Sequence, residues 1–244
     1  MVAPFPDVSH ADWLAFLQTS AVATLLPLLL LLAGKWGAFD RIVLRKALHI
    51  GMGAVFMLHW PLYSNAPYVP YLCASIPLAA TLVFALVGLG LVPGGPLVRG
   101  ATRSGRRQEL LAGPLLYGAV QVLLTSAFWR SSPSGVAALA ILCFGDGTAE
   151  LVGRYGRRRL WHNPRKTWAG SAACLIAGAA AAVAYTLLFR RLGSFQRPLP
   201  TWQLLYGCTA AAAVAAAVES LPLGADNLTV PLAAAATGVA VFGF

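Results

Sequence analysis

Two carboxylates stand four residues apart in Gly145-Asp146-Gly147-Thr148-Ala149-Glu150. On a helix that spacing puts both on one face. In a low dielectric they repel each other unless a cation or an Arg or Lys side chain compensates. Paired oxygens near a membrane boundary are what magnesium bound with a phosphate needs, which makes Asp146 and Glu150 candidate metal ligands. A salt bridge to Arg45 or Arg103 is the alternative. The flanking Gly145 and Gly147 let another backbone or a ligand come close.

A second stretch, Asn163-Pro164-Arg165-Lys166-Thr167-Trp168-Ala169-Gly170-Ser171, has the residues of a phosphate cradle. Asn163 is expected to cap a helix with Pro164 in its first turn. A helix N-terminus offers free amides and the positive end of a dipole. Lys166 adds a mobile charge, Arg165 a fixed one, and Thr167, Gly170 and Ser171 complete the candidate pocket. An interfacial cap with ordinary flanking charges is the alternative.

Arg45, Lys46 and His49 share a helical face and form a third candidate for phosphate. Ordinary basic flanking with a packed histidine is the alternative there. In a fourth place Arg103 precedes Ser104-Gly105-Arg106-Arg107-Gln108-Glu109, where Glu109 suits the start of a helix. A last loop, from Glu219 to Asp226-Asn227, carries acids and no bases.

The elements holding these residues follow from hydropathy. The chain has 244 residues, of which 58% are apolar and 11% charged, and its mean hydropathy is +0.70. A soluble globule carries roughly 25% charged residues, so a soluble enzyme is excluded. Apolar windows of about 20 residues, each enough for a hydrocarbon core of about 30 Å, recur near 13–33, 47–64, 71–92, 110–129, 134–153, 170–189, 203–219 and 228–244. The expected architecture is an all-α polytopic bundle of seven or eight spans. It forms one integral-membrane domain over 1–244, with the motifs from about residue 41 onward.

The net charge of +10 follows the loops: alternate loops hold fourteen Lys and Arg against four. That asymmetry puts the basic loops inside and the N-terminus on the other side, with all four candidate places facing the basic side. The basic residues are split among loops with no aromatic interleaving, so no nucleic-acid partner is expected. The four cysteines fall inside spans and form no Cys-x-x-Cys; they read as small apolar core residues. Gly170, Cys174 and Gly178 are spaced for close helix packing. Met1 to Asp12 has no Lys or Arg, and the expectation is a prokaryotic chain or one whose targeting peptide is missing.

Acids for a metal, bases for phosphates and lipid all round suggest an enzyme handling a nucleotide and a lipid. The chain has no Gly-x-x-x-x-Gly-Lys-Ser/Thr loop, and Gly145-x-Gly147 lacks the third glycine of a dinucleotide fold.

At these residues the chain resembles the polyprenol kinase family, the membrane kinases of phytol, farnesol and dolichol. The marks are Arg45-Lys46-x-x-His49, Ser104-Gly105-x-x-x-Glu109-Leu110-Leu111-x-Gly113-Pro114-Leu115-x-Tyr117 and Phe128-Trp129-Arg130-x-Ser132-Pro133. They continue with Gly145-Asp146-Gly147-x-Ala149, the Asn163–Ser171 stretch, and Val218-Glu219-Ser220-Leu221-Pro222 followed by Asp226-Asn227. The middle and last marks are most similar to the phytol kinase branch. Glu150 stands where Asp is more familiar, and Ala225-Asp226-Asn227 where Asp-Asp-Asn is.

The resemblance implies phosphoryl transfer from CTP to phytol, for tocopherol synthesis and chlorophyll salvage, in a cyanobacterial or plastid membrane. Asp146 and Lys166 then carry the chemistry, with magnesium as the metal. Farnesol, geranylgeraniol or dolichol are alternative substrates. A cytidylyltransferase of the CDP-diacylglycerol synthase type and an organic-anion transporter are the alternative functions.

Overall fold

The computed structural model describes residues 8–243. Residues 1–7, within the stretch read for a targeting signal, and the last residue of the eighth expected span lie outside them. Among the described residues ten α-helices follow one another: α1 (His10–Lys35), α2 (Arg41–His59), α3 (Val69–Leu89), the short α4 (Gly95–Ala101), α5 (Gly113–Phe128), α6 (Pro133–Ala140), α7 (Gly147–Gly153), α8 (Trp168–Arg191), α9 (Thr201–Ser220) and α10 (Asp226–Phe242). Seven helical segments among the described residues are long and apolar enough to cross a membrane, and α10 is a shorter apolar helix. Each of the eight expected spans falls on one of these helical segments. The one element the hydropathy did not show is α4, an amphipathic turn or two beside α2.

Local chemistry sets the boundaries. Asp40 caps α2 by accepting from the Val43 amide at 2.8 Å. Pro114 and Pro133 sit in the first turns of α5 and α6, where a missing amide hydrogen does no harm. α3 stops at Gly90, whose φ of 83° is the left-handed value that glycine adopts freely.

α6, a six-residue π turn (Ile141–Asp146) and α7 form one continuous segment. This segment is the axis of the bundle: 72% of it is buried, against 11% for α1. α8 and α10 pack on it, with α9 between those two, and α2 covers its other side. Small residues permit the contact with α8. A Cβ on Gly170 would lie 2.9 Å from the Ala149 carbonyl oxygen and 3.2 Å from Gly153 Cα. The Gly170-x-x-x-Cys174-x-x-x-Gly178 stripe is therefore a packing face, the close approach that drives helix association in lipid.

The two ends of the bundle differ. At one end Asp12, wholly buried, accepts from the Ser64 amide at 2.7 Å and from the hydroxyls of Ser9, Ser64 and Tyr68. Arg130 completes that knot, donating to the Trp60 and Ser64 carbonyls and to Asn65 Oδ1. Arg130 is the lone basic residue between the fourth and fifth spans, and it serves the loop backbone. The other end gathers the four candidate places.

Candidate active site

α2 supplies the cations that meet the paired acids. Lys46 Nζ donates to Asp146 Oδ2 at 2.7 Å and to the Asp146 carbonyl at 3.0 Å, and lies 3.3 Å from Glu150 Oε2. Arg45 donates to the same Glu150 oxygen, and Arg103 reaches it at 3.3 Å. The salt bridge foreseen as the alternative thus forms at Glu150, whereas Asp146 takes Lys46. Lys46 is only 2% exposed. A charge so placed is tolerated only when paired, and removing one partner of a buried pair costs about 3–5 kcal/mol.

The π turn makes this geometry possible. Wide turns break the ordinary helical ladder and occur frequently at functional sites. Here two carbonyls of the segment accept from α2 side chains: Leu142 from His49 Nε2 at 3.0 Å, and Asp146 from Lys46. A carbonyl only accepts, so Nε2 of His49 carries the hydrogen. The ring also lies 3.4 Å from Asp146 Oδ2 and stacks at 4.2 Å on Tyr117, whose hydroxyl donates to the His49 carbonyl. His49 is therefore held on three sides.

Neither glycine beside Asp146 is open to a ligand. Gly145 faces the backbone of α8 at Cys174, and Gly147 faces Ile50 of α2. They bring neighbouring helices close, one of the two roles the sequence allowed.

The Asn163 stretch folds differently from expectation. Helix α8 begins at Trp168, and its cap is Thr167, whose Oγ1 accepts from the Gly170 amide at 3.1 Å and donates to the Gly153 carbonyl at 3.2 Å. Asn163 is not the cap. It sits in the tight turn of a small hairpin closed by Leu160 and Lys166, and its amide donates to the Ser220 carbonyl at the end of α9. The Asn-Pro pair turns the chain four residues too early to start a helix, because the hairpin bonds of Arg158 to Trp168 take precedence. Gly170 spends its amide on Thr167, and Arg165 is exposed. Ser171 keeps its buried Oγ without a partner.

The hairpin aims Lys166 at the last loop. Its ammonium donates to Glu219 and, at 2.7 Å, to Asp226. Burial alone would drive that ammonium towards neutrality, but the two carboxylates outweigh it and hold its pKa above the ordinary 10.5. Glu219 is 3% exposed, and its Oε2 is buried without a donor. Asn227 ties the loop to α5 through the Gly113 carbonyl at 2.8 Å. Glu109 accepts from the amides of Arg103 and Ser104 and so fixes the loop that carries Arg103.

The structure therefore brings Arg45, Lys46, His49, Arg103, Asp146 and Glu150 into one cluster and Lys166, Glu219 and Asp226 into a second. The two lie within electrostatic reach of each other. His162 and Ser220, bonded at 3.2 Å beside the second cluster, were not singled out from sequence. Only the loop's position in the fold reveals them. Among the described residues no three His, Cys, Asp or Glu side chains are arranged as a metal cage. Magnesium does not require one: one or two carboxylates with substrate phosphates and water suffice. The donor set fits, since Asp146 Oδ2 and Glu150 Oε2 already converge on one cation, the Lys46 ammonium.

No family model and no solved structure matches the chain. Curated proteins do. A "Probable phytol kinase 2, chloroplastic" of Oryza sativa subsp. japonica is 41% identical over 212 residues, which are 85% of this chain and 69% of that protein. "Phytol kinase 1, chloroplastic" of Arabidopsis thaliana is 39% identical, over 82% of this chain and 66% of that protein. "Farnesol kinase, chloroplastic" of Arabidopsis thaliana is 37% identical, over 86% and 68%. The chain spans about two thirds of the length of these relatives. With the acid and base clusters meeting at one end of a lipid-facing bundle, this likeness establishes that the chain belongs to the phytol and farnesol kinase branch of the polyprenol kinases.

Proposed function

We propose that the protein transfers the γ-phosphoryl group of CTP to the hydroxyl of a membrane prenol, phytol first. The observation carrying this reading is the meeting of Lys46, Arg45, Arg103 and Lys166 with four carboxylates at one end of a bundle whose outer faces are apolar. The prenol oxygen forms a bond to Pγ, the bond from Pγ to the β-bridging oxygen breaks, and CDP leaves. Phosphoryl transfer has a loose transition state, so the protein mainly positions groups and neutralises charge. Lys166 and Arg103 bind phosphate oxygens, and Lys46 and His49 orient Asp146. The hydroxyl proton goes to an acceptor oxygen, and the buried Glu219 Oε2 lacks a donor. Asp146 and Glu150 would hold magnesium, which when bound neutralises charge on the nucleotide phosphates.

Farnesol is the second substrate, because one relative is named a farnesol kinase. The named relatives are chloroplastic, which supports a plastid membrane and gives the prokaryotic reading no support. A role in phytol salvage follows from the same reading. The test uses γ-labelled CTP, phytol and magnesium with the membrane protein. The expected products are labelled phytyl phosphate and CDP, and chelation of magnesium stops the transfer. Release of pyrophosphate with cytidine retained on the lipid identifies a cytidylyltransferase instead.

A further inference from the structure

Between the first turns of α8 and the last turns of α9 lies an open groove of ≈ 390 Å³. That volume falls within the range of about 300–1,000 Å³ usual for small-molecule sites. It exists because the facing side chains are small: Ser171 and Ala172 on α8 oppose Ala216, Ala217 and Ser220 on α9, with Leu175 also lining it. Its walls are apolar and its end is not. The hairpin closes that end with His162, whose Nε2 lies 3.2 Å from Ser220 Oγ; that hydroxyl donates to the Ala217 carbonyl, and Ser171 beside it has a shielded Oγ without a partner. The bonded pair Lys166 and Glu219 adjoins this lining in the chain: Glu219 precedes Ser220, and Lys166 lies two residues before α8. Sideways the groove is open, since Ala172, Ala217 and Trp168 are all exposed on the outer, apolar face of the bundle.

We infer that this groove seats the isoprenoid chain of the substrate, with its hydroxyl at the Ser171–Ser220–His162 end. This inference rests on the prenol kinase reading and adds where the alcohol binds. An apolar trough with a hydroxyl-sized polar end, beside a lysine poised for phosphate and open to lipid, matches an amphiphilic alcohol that arrives within the bilayer. The groove runs from Trp168 to Leu175, about 10 Å at 1.5 Å per residue, so it holds only the part of the chain nearest the hydroxyl. The distal isoprene units stay in the bilayer. A methylene contributes about 0.8 kcal/mol when it leaves water, but one that passes from lipid to lipid gains almost nothing. The protein therefore reads the first isoprene units and largely ignores the rest.

Filling the groove tests this. Ala217→Phe should raise the KM for phytol by about tenfold or more, because the ring overpacks the space the first isoprene unit would occupy, and leave the KM for CTP unchanged. Ile176→Phe, on an exposed face outside the groove, should change neither. A prenol carrying a diazirine on its first isoprene unit should label the wild-type protein within 168–175 and 213–220. An unchanged phytol KM in both Ala217→Phe and Ala172→Phe overturns the inference, as does labelling on another helix pair. The labelling needs no turnover and no variant. A wild-type protein that transfers no phosphate to any prenol removes the kinase reading, whereas labelling elsewhere in an active enzyme removes only the groove.

Discussion

Lys46 and Asp146, 100 residues apart in the chain, are joined twice: Nζ lies 2.7 Å from the carboxylate and 3.0 Å from the carbonyl of the same residue. One ammonium thereby fixes both the side chain and the backbone at the end of the π turn.

Asp146→Asn should cut phytol phosphorylation by at least about a hundredfold, as does loss of one preorganised electrostatic group elsewhere. The variant should still purify folded, because Lys46 keeps Glu150 at 3.3 Å. Lys46→Met should cost as much, and the double variant little more than either, since partners in one network are not additive. Turnover with γ-labelled CTP measures all three. Near-normal activity of Asp146→Asn sinks the assignment.

Lys166→Met should also lose at least about a hundredfold in turnover, and Lys166→Arg should lose less. The pH dependence has a definite sign. Because the folded pKa is raised above 10.5, the ion pair's contribution to stability is fully present below that value and is lost only as pH rises beyond it. The ratio of wild-type to Lys166→Met turnover should therefore stay constant between pH 6.5 and 9. A ratio that collapses within that window would show Lys166 losing its proton there.

Gly170→Ala should destabilise the protein by about 1–3 kcal/mol, the usual cost of overpacking. Its Cβ would meet backbone atoms of α7, which cannot swing aside. Gly51→Ala, whose Cβ would meet only a Leu26 methyl at 3.5 Å, should be neutral or stabilising. Thermal unfolding in detergent compares the two.

Cysteines placed at Ser104 and Trp161 should react with an impermeant maleimide from one side of the membrane, and one at Gln196 from the other. The native Cys73, Cys143, Cys174 and Cys208 are wholly buried and should stay silent. Labelling of all three sites from the same side contradicts the positive-inside assignment.

The spans were readable because hydropathy over twenty residues is a property of the chain alone. The gathering of the motifs at one end was readable as well, since alternate loops must share a side. The pairing was only partly so: Arg45 and Arg103 were foreseen as partners for the acids, but Lys46 takes Asp146 because of the register between α2 and α7. No residue type signals the π turn that sets this register. Asn163-Pro164 misled for a related reason. The pair has the composition of a helix start, and only the hairpin bonds to Leu160 show that the chain turns once more before Thr167 caps α8. Asp12 carried a signal that could have been used: a serine three residues before an acid, at the start of a span, marks a cap.

The π turn also makes the central helix a counted object. Each residue advances a helix by about 100°, so removing one from Ile141–Asp146 would restore an ordinary ladder and turn everything beyond it out of phase. Asp146 and Glu150 would then point away from α2, although every residue of the site was still present. Between Ala140 and Gly147 the site depends on the number of residues as much as on their identity.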